Sequence, residues 1–204
     1  MEFWNDIVTD ISWNILIELT RKYNVIVIGG WAIYLYTNAI KSKDIDIIVD
    51  FETLSRLKSD YNIKKNESLQ KYETKIENIS VDIYVPHYSR FPIPIGEITS
   101  NTTKIEGIVI AKSEILLILK QAAELERKDS VKGMKDRVDI LNLLLNSDFD
   151  YARYKALVKK YHLEDFISRL KTIISISDRE YIYLGIDNPK ERKSQKKRIL
   201  SKLK

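Results

Sequence analysis

An apolar run that ends on two glycines and is soon followed by two acids one residue apart leaves a chain few ways to fold. Here Val25-Ile26-Val27-Ile28 leads into Gly29-Gly30, and Asp44-Ile45-Asp46-Ile47-Ile48-Val49 follows. The first run predicts a short strand covered on both faces, central in a sheet. The glycines predict a turn into a helix over residues 31–37, and residues 44–49 predict a second strand. Side chains alternate faces along a strand, so Asp44 and Asp46 share one side while Ile45 and Ile47 take the other. Two acids on one side repel unless a cation stands between them. A hard divalent ion such as Mg²⁺ accepts one or two carboxylates and completes its shell with water and phosphate. The pattern therefore points to a phosphate-handling metal site.

A third acid strengthens that reading. Residues 79–85 run Ile-Ser-Val-Asp-Ile-Tyr-Val, an alternating strand with Asp82 among apolar neighbours, stopped by Pro86. An acid inside a buried strand is costly unless it is paired or metal-bound. If this strand lies beside residues 44–49, at the usual spacing of about 4.8 Å, Asp44, Asp46 and Asp82 converge. Three acids can hold two metal ions, which suits in-line phosphoryl displacement. Gly29 and Gly30 supply what acids cannot, a stretch of backbone N–H groups that approaches phosphate closely at a helix start. The segment lacks the G-x-G-x-x-G spacing of dinucleotide-binding turns and the lysine of a P-loop.

Around this core, residues 3–22 have the spacing of an amphipathic helix, with Phe3 and Trp4 on its apolar stripe. Residues 51–58 read as a helix capped by Asp50, residues 61–77 as exposed strands or a hairpin, residues 86–94 as a loop, and residues 104–110 as one strand. After Ala111 the apolar period changes from two to 3.6. Helices are expected over residues 113–126, with Ser113 as N-cap, over 134–145 after Gly133, over 149–160 and 163–174, and from Pro189 onward. The division between the two halves falls near residue 112.

Charge is unevenly spread. The last sixteen residues hold eight Lys/Arg and one Glu, a formal +7, in a chain whose total is +5. The basic character thus belongs to residues 190–204, from Lys190 to the end, and it favours an anionic partner, most simply RNA or DNA phosphate. A solvated terminal helix is the plainer alternative. The chain has no cysteine, which removes disulfides, thiolate catalysis and Cys-based metal sites, and fits a reducing cytoplasm. The N-terminus has no signal-peptide pattern, and no stretch is apolar enough for a membrane span.

Gly-Gly, a short helix, Asp-x-Asp and a third Asp on a later strand resemble the pattern of the DNA polymerase β-like nucleotidyltransferase superfamily, over residues 25–85. Within it the chain looks like the small prokaryotic, AbiEii/MenT-like branch. Ser113-Glu114-Ile115-Leu116-Leu117-Ile118-Leu119-Lys120-Gln121-Ala122-Ala123 is similar to a lysine-bearing helix of that branch. Lys135-Asp136-Arg137-Val138-Asp139-Ile140-Leu141 is similar to its K-D-x-x-D-[IL] segment.

The resemblance implies an α+β fold: a nucleotidyltransferase-type mixed β-sheet with flanking helices over residues 1–112, then a helical region over 113–204. It implies an enzyme that uses Mg²⁺ or Mn²⁺ and an NTP such as ATP. Asp44, Asp46 and Asp82 would serve as metal ligands and catalytic acids. Gly29, Gly30, Ser42, Lys43, Lys120 and Asp136 would serve on the nucleotide side. Lys41-Ser42-Lys43 stands where the family often has Arg-x-Thr, and a lysine is a point charge rather than a bidentate fork. The expected acceptor is a hydroxyl of RNA, tRNA first, with a protein or small molecule behind it. The branch also implies a toxin–antitoxin setting with a cognate antitoxin. A non-catalytic NTP- or RNA-binding protein of the same fold is the alternative. For Asp136 and Asp139, ordinary helix salt bridges to Lys128, Lys132 or Lys135 compete with a site role.

Overall fold

The computed structural model describes residues 5–204. Among them the chain forms seven strands and ten helices, in two compact units that divide between Lys112 and Ser113. Phe3 and Trp4 lie outside the described residues.

The first unit is built on one mixed sheet. In chain order it contains α1 (Asp6–Lys22), β1 (Ile26–Ile28), α2 (Gly29–Thr37), β2 (Ile45–Ile48), α3 (Phe51–Asp60), β3 (Lys64–Asn66), β4 (Lys71–Ile76), β5 (Ile79–Tyr84), α4 (Ile95–Ser100), β6 (Thr102–Ile105) and β7 (Ile108–Ala111). The strands lie in the order β3-β4-β5-β2-β1-β7-β6. β2 runs parallel to β5 and β1 parallel to β7, and the other neighbours are antiparallel. The apolar run before the glycines is thus an interior strand, as its composition requires. One face carries Val27, Ile45, Ile47, Val81, Ile83 and Ile110, each at most 1% exposed. α1 contributes Leu16 and Leu19 to the same core, and Trp31 of α2 donates its indole N–H to Ser12 Oγ at 2.9 Å.

Local chemistry sets the element ends. Asp50 caps α3, accepting from Thr53 N at 2.7 Å. The turn between β4 and β5 places both Glu77 and Asn78 at positive φ, the backbone of a tight two-residue hairpin. Residues 104–110, expected as a single strand, are instead a second such hairpin. Glu106 (φ 51°) and Gly107 (φ 84°) form its turn, and β6 and β7 pair back on each other. α2 starts on Gly29 itself rather than after the glycine pair.

The second unit, Ser113–Lys204, is helical: α5 (Ser113–Arg127), α6 (Val131–Asn146), α7 (Tyr151–Lys160), α8 (Glu164–Ile176), α9 (Asp178–Tyr183) and α10 (Pro189–Lys202). The short α4 and α9 have no counterpart among the expected helices. Ser113 is the first residue of α5, and its hydroxyl donates to the Glu114 carboxylate. α6 begins earlier than its apolar spacing implies. Ser130 caps it by accepting from Gly133 N at 3.0 Å, so Gly133 lies inside the first turn. A Cβ there would sit 2.2 Å from the Arg127 carbonyl oxygen, which is why the α5–α6 turn takes glycine at this position.

Two glycine substitutions separate these effects. Gly133→Ala is expected to destabilise the protein by about 1–3 kcal/mol through steric overlap with backbone. Gly96→Ala, where an added Cβ meets nothing within 4 Å, is expected to be neutral or to stabilise by ~0.5 kcal/mol. Urea unfolding of both variants beside the parent chain checks the pair.

Candidate active site

Two of the three expected acids share one face of the sheet. In the β2–β5 ladder Asp46 is the direct register partner of Asp82, so both side chains leave the same face at the same level. Asp44 lies one residue before β2, in a bend that Ser42 shapes by donating from Oγ to the Asp44 carbonyl at 3.2 Å. Ser42 is buried, with its hydroxyl spent on that turn. Lys43, next to it, is half-buried.

Gly29 is fitted to Asp46. It adopts φ +67°, a conformation that L side chains rarely take. A Cβ on it would lie 2.2 Å from Asp46 Oδ2. The first residue of α2 thus leaves open the space that the carboxylate occupies, and the acid rests against the N-terminal turn of a helix, where the dipole favours negative charge. Gly30 is buried in the same turn. Tyr84, on the Asp82 face of β5, reaches Asp46 Oδ1 with its hydroxyl at 3.4 Å.

On the other flank, the structure adds two residues that sequence reading did not single out. Glu73 of β4 is the register partner of Asp82. Glu73, Asp82 and Asp46 therefore form a row of carboxylates across three adjacent strands. Lys71, two residues before Glu73 on the same face, places Nζ 2.5 Å from Asp82 Oδ2 and 3.8 Å from Glu73 Oε2. Their signal lay in the alternation Lys71-Tyr72-Glu73-Thr74-Lys75, which puts the charged side chains on one side, but β4 had to be placed beside β5 before it acquired meaning.

Burial pushes the Asp82 carboxyl above its ordinary value. The Lys71 ammonium opposes the rise, while the charges of Glu73 and Asp44 add to it. The repulsion from Asp44 links this third acid electrically to the pair. Among the described residues no three His, Cys, Asp or Glu side chains converge as a ready-made cage. Asp46 and Asp82 still fit a hard divalent ion, because Mg²⁺ needs only one or two carboxylates when phosphate and water supply the rest.

Lys120 and Asp136 belong to the helical unit, and both pair with residues of that unit. Asp136 accepts two hydrogen bonds from Arg127, at 2.7 and 2.9 Å, and one from Lys120 at 3.2 Å. Asp139 pairs with Lys120 at 2.8 Å and Lys135 at 3.1 Å. Both acids are 1% exposed. Burial alone would raise Asp139, yet the two ammonium groups outweigh it and hold its carboxyl below the ordinary value. Of the expected helix partners, Lys135 is used. Lys128 and Lys132 give way to Arg127 and Lys120.

Residues 6–172 match the family described as "Nucleotidyltransferase of unknown function (DUF6036)". No curated protein matches the chain. Among solved structures, JHP933 from Helicobacter pylori is 18% identical, with 98% of this chain and 94% of that one covered and a TM-score of 0.52. ANT(2")-Ia, solved in complex with adenylyl-2"-tobramycin, is 15% identical, with 78% and 99% covered and a TM-score of 0.53. At these identities both likenesses establish the fold. Among the described residues no helix is long and apolar enough to cross a membrane.

The raised Asp82 carboxyl has a consequence for stability. Its charged form is disfavoured in the folded state, so its contribution is greatest below the unfolded pKa and is lost as pH rises through the folded one. Asp82→Asn is therefore expected to gain stability relative to the parent chain between acidic and neutral pH. Chemical denaturation at several pH values, compared between the two, reads out the gap.

Proposed function

The chain belongs to a family of nucleotidyltransferases of unknown function, and from that premise we propose that it transfers a nucleoside monophosphate from an NTP to an acceptor hydroxyl with the help of Mg²⁺ or Mn²⁺. The observation that carries this reading is the in-register pair Asp46–Asp82, with the Asp46 carboxylate seated against Gly29. Asp44, Asp46 and Asp82 are the residues that would hold the ion, which when bound neutralises phosphate charge and lowers the pKa of a coordinated hydroxyl.

This chain's own residues supply position and proton handling. Gly29 and Gly30 offer backbone N–H groups to the β and γ phosphates at the start of α2. Asp82, made more basic by burial, takes the acceptor's proton as its oxygen bonds to the α-phosphorus. The bond from the α-phosphorus to the bridging oxygen breaks, and pyrophosphate leaves on the Gly29 side. Catalysis of this kind is mostly alignment and electrostatics.

For the acceptor we favour RNA, on the strength of α10. This helix packs its inner side, with Ile199 and Leu203 buried. Arg192 and Lys196 are spent there on neighbouring carbonyls and on Asp178. Lys190, Lys193, Lys197 and Arg198 remain exposed on the outer side. A small-molecule hydroxyl is the second reading, because ANT(2")-Ia of the same fold was solved with an adenylylated aminoglycoside. The narrower AbiEii/MenT-like assignment, with a toxin–antitoxin role and an antitoxin partner, rests on the likeness of residues 113–123 and 135–141 alone.

Incubation with labelled NTPs, Mg²⁺ and total RNA is expected to label RNA and release pyrophosphate. Asp44→Asn/Asp46→Asn should cut that turnover by at least about a hundredfold while leaving the circular dichroism spectrum intact. Undiminished transfer in the double variant would refute the reading.

RNA binding should also weaken steeply with salt. Neutralising Lys193, Lys197 and Arg198 together is expected to flatten the slope of log affinity against log salt by about 2. A slope that the triple variant does not change would remove α10 as the contact surface.

A further inference from the structure

We propose that Lys71 is the protein's own counter-ion for Asp82, and that Asp82 exchanges it for a divalent cation while Glu73 receives the released ammonium. The inference rests on the metal-dependent reading above and deepens it by assigning Lys71 a positioning role.

The geometry is a two-position latch. Lys71 Nζ lies 2.5 Å from Asp82 Oδ2 and 3.8 Å from Glu73 Oε2, and its side chain is only 13% exposed. Glu73 is held ready: it is the register partner of Asp82, and Asn66 Nδ2 donates to its Oε2 at 3.2 Å. A lysine carries a compact charge on a flexible four-carbon stem. Moving Nζ by about 1 Å brings it to ion-pair distance of Glu73 without its leaving the sheet face. Removal of the ammonium from Asp82 to bulk water would strand a charge row. Transfer to the adjacent carboxylate does not.

The latch also answers a problem that the acids create. With no cation bound, Asp46, Asp82 and Glu73 are like charges at one level of three neighbouring strands. Lys71 neutralises the middle member. Once Asp82 has a divalent partner, the ammonium is best placed on the outer member, away from that cation. Both states keep opposite charges adjacent along the row.

This makes a sign prediction that an ordinary structural ion pair does not. If Lys71 merely braces Asp82, removing it loosens the ligand and weakens cation binding. If Lys71 competes for Asp82, removing it strengthens binding. The test is a Mn²⁺ titration of the full chain without nucleotide, by calorimetry or by the free-ion signal in electron paramagnetic resonance. Lys71→Met keeps the apolar stem, and its melting curve reports folding. It is expected to bind Mn²⁺ about tenfold more tightly. Lys71→Gln, with a polar end, is expected to shift in the same direction.

Glu73→Gln supplies the second arm. In the parent chain it should weaken Mn²⁺ binding severalfold, both by losing a negative charge and by leaving the ammonium no other partner. In the Lys71→Met background only the charge loss remains, so the effect should shrink, which a double-mutant cycle reads as coupling. Unchanged or weaker binding in both Lys71 variants, or a Glu73→Gln effect equal in the two backgrounds, would overturn the exchange. Asp46→Asn tells this failure from that of the underlying reading. Loss of Mn²⁺ binding in that variant keeps the metal site even if the latch falls, whereas binding indifferent to Asp46 overturns both.

Discussion

A sheet face that gathers like charges must be held together by something other than those charges. Glu73, Asp82 and Asp46 stand in one row. Two unit charges about 5 Å apart repel by on the order of 3 kcal/mol at an effective dielectric of 20, less where solvent screens them. The opposite face answers with Val27, Ile45, Ile47, Val81 and Ile83, all essentially buried. Each such side chain contributes about 1.5–3 kcal/mol when fully buried. The apolar side thus outweighs the repulsion, and the ladder hydrogen bonds fix the register at no further cost to the acids. Period-two alternation is what makes this possible, since it lets one strand serve a core and a charged site at once.

The placement of Gly29 follows from the same constraint. Asp46 faces its β1 partner Ile28, and the next residue of that strand begins α2. A side chain at residue 29 would collide with the carboxylate. The glycine is therefore needed for space as well as for its positive φ, and it links the strand end, the helix start and the acid into one rigid corner. Ser42 does related work at the other entrance to β2, tying its hydroxyl into the bend that carries Asp44.

Much of this was legible before any coordinates. The apolar run 25–28, the two glycines and the alternation around Asp46 and Asp82 are short-range patterns with one dominant period, and each became the expected kind of element. What escaped was set by contacts between distant residues or by backbone that sequence marks weakly. Glu106-Gly107 makes a two-residue turn without the Asn-Gly or Asp-Gly signature, so one strand was read where two pair. Gly133 looked like a helix boundary because glycine weakens helices, but the crowding by the Arg127 carbonyl that demands it arises only once α5 turns into α6. Lys71 and Glu73 sit in a polar stretch whose charges read as solvated until strand order puts them beside Asp82.

The helical unit handles buried charge differently, and the contrast is informative. Glu124 is fully buried and is bound by Arg169 at 2.5 and 2.9 Å, with Arg137 at 3.3 Å bridging on to Glu180. Asp136 and Asp139 are likewise surrounded by Arg127, Lys120 and Lys135. There Glu124, Asp136 and Asp139 each face two cationic side chains, and breaking such a set by removing one partner is strongly destabilising. On the sheet, Lys71 is divided between Asp82 and Glu73, two members of the row. The sheet therefore couples its acids through one shared side chain: the Lys71 ammonium stands between Asp82 and Glu73, so a change of charge at either acid is felt at the other.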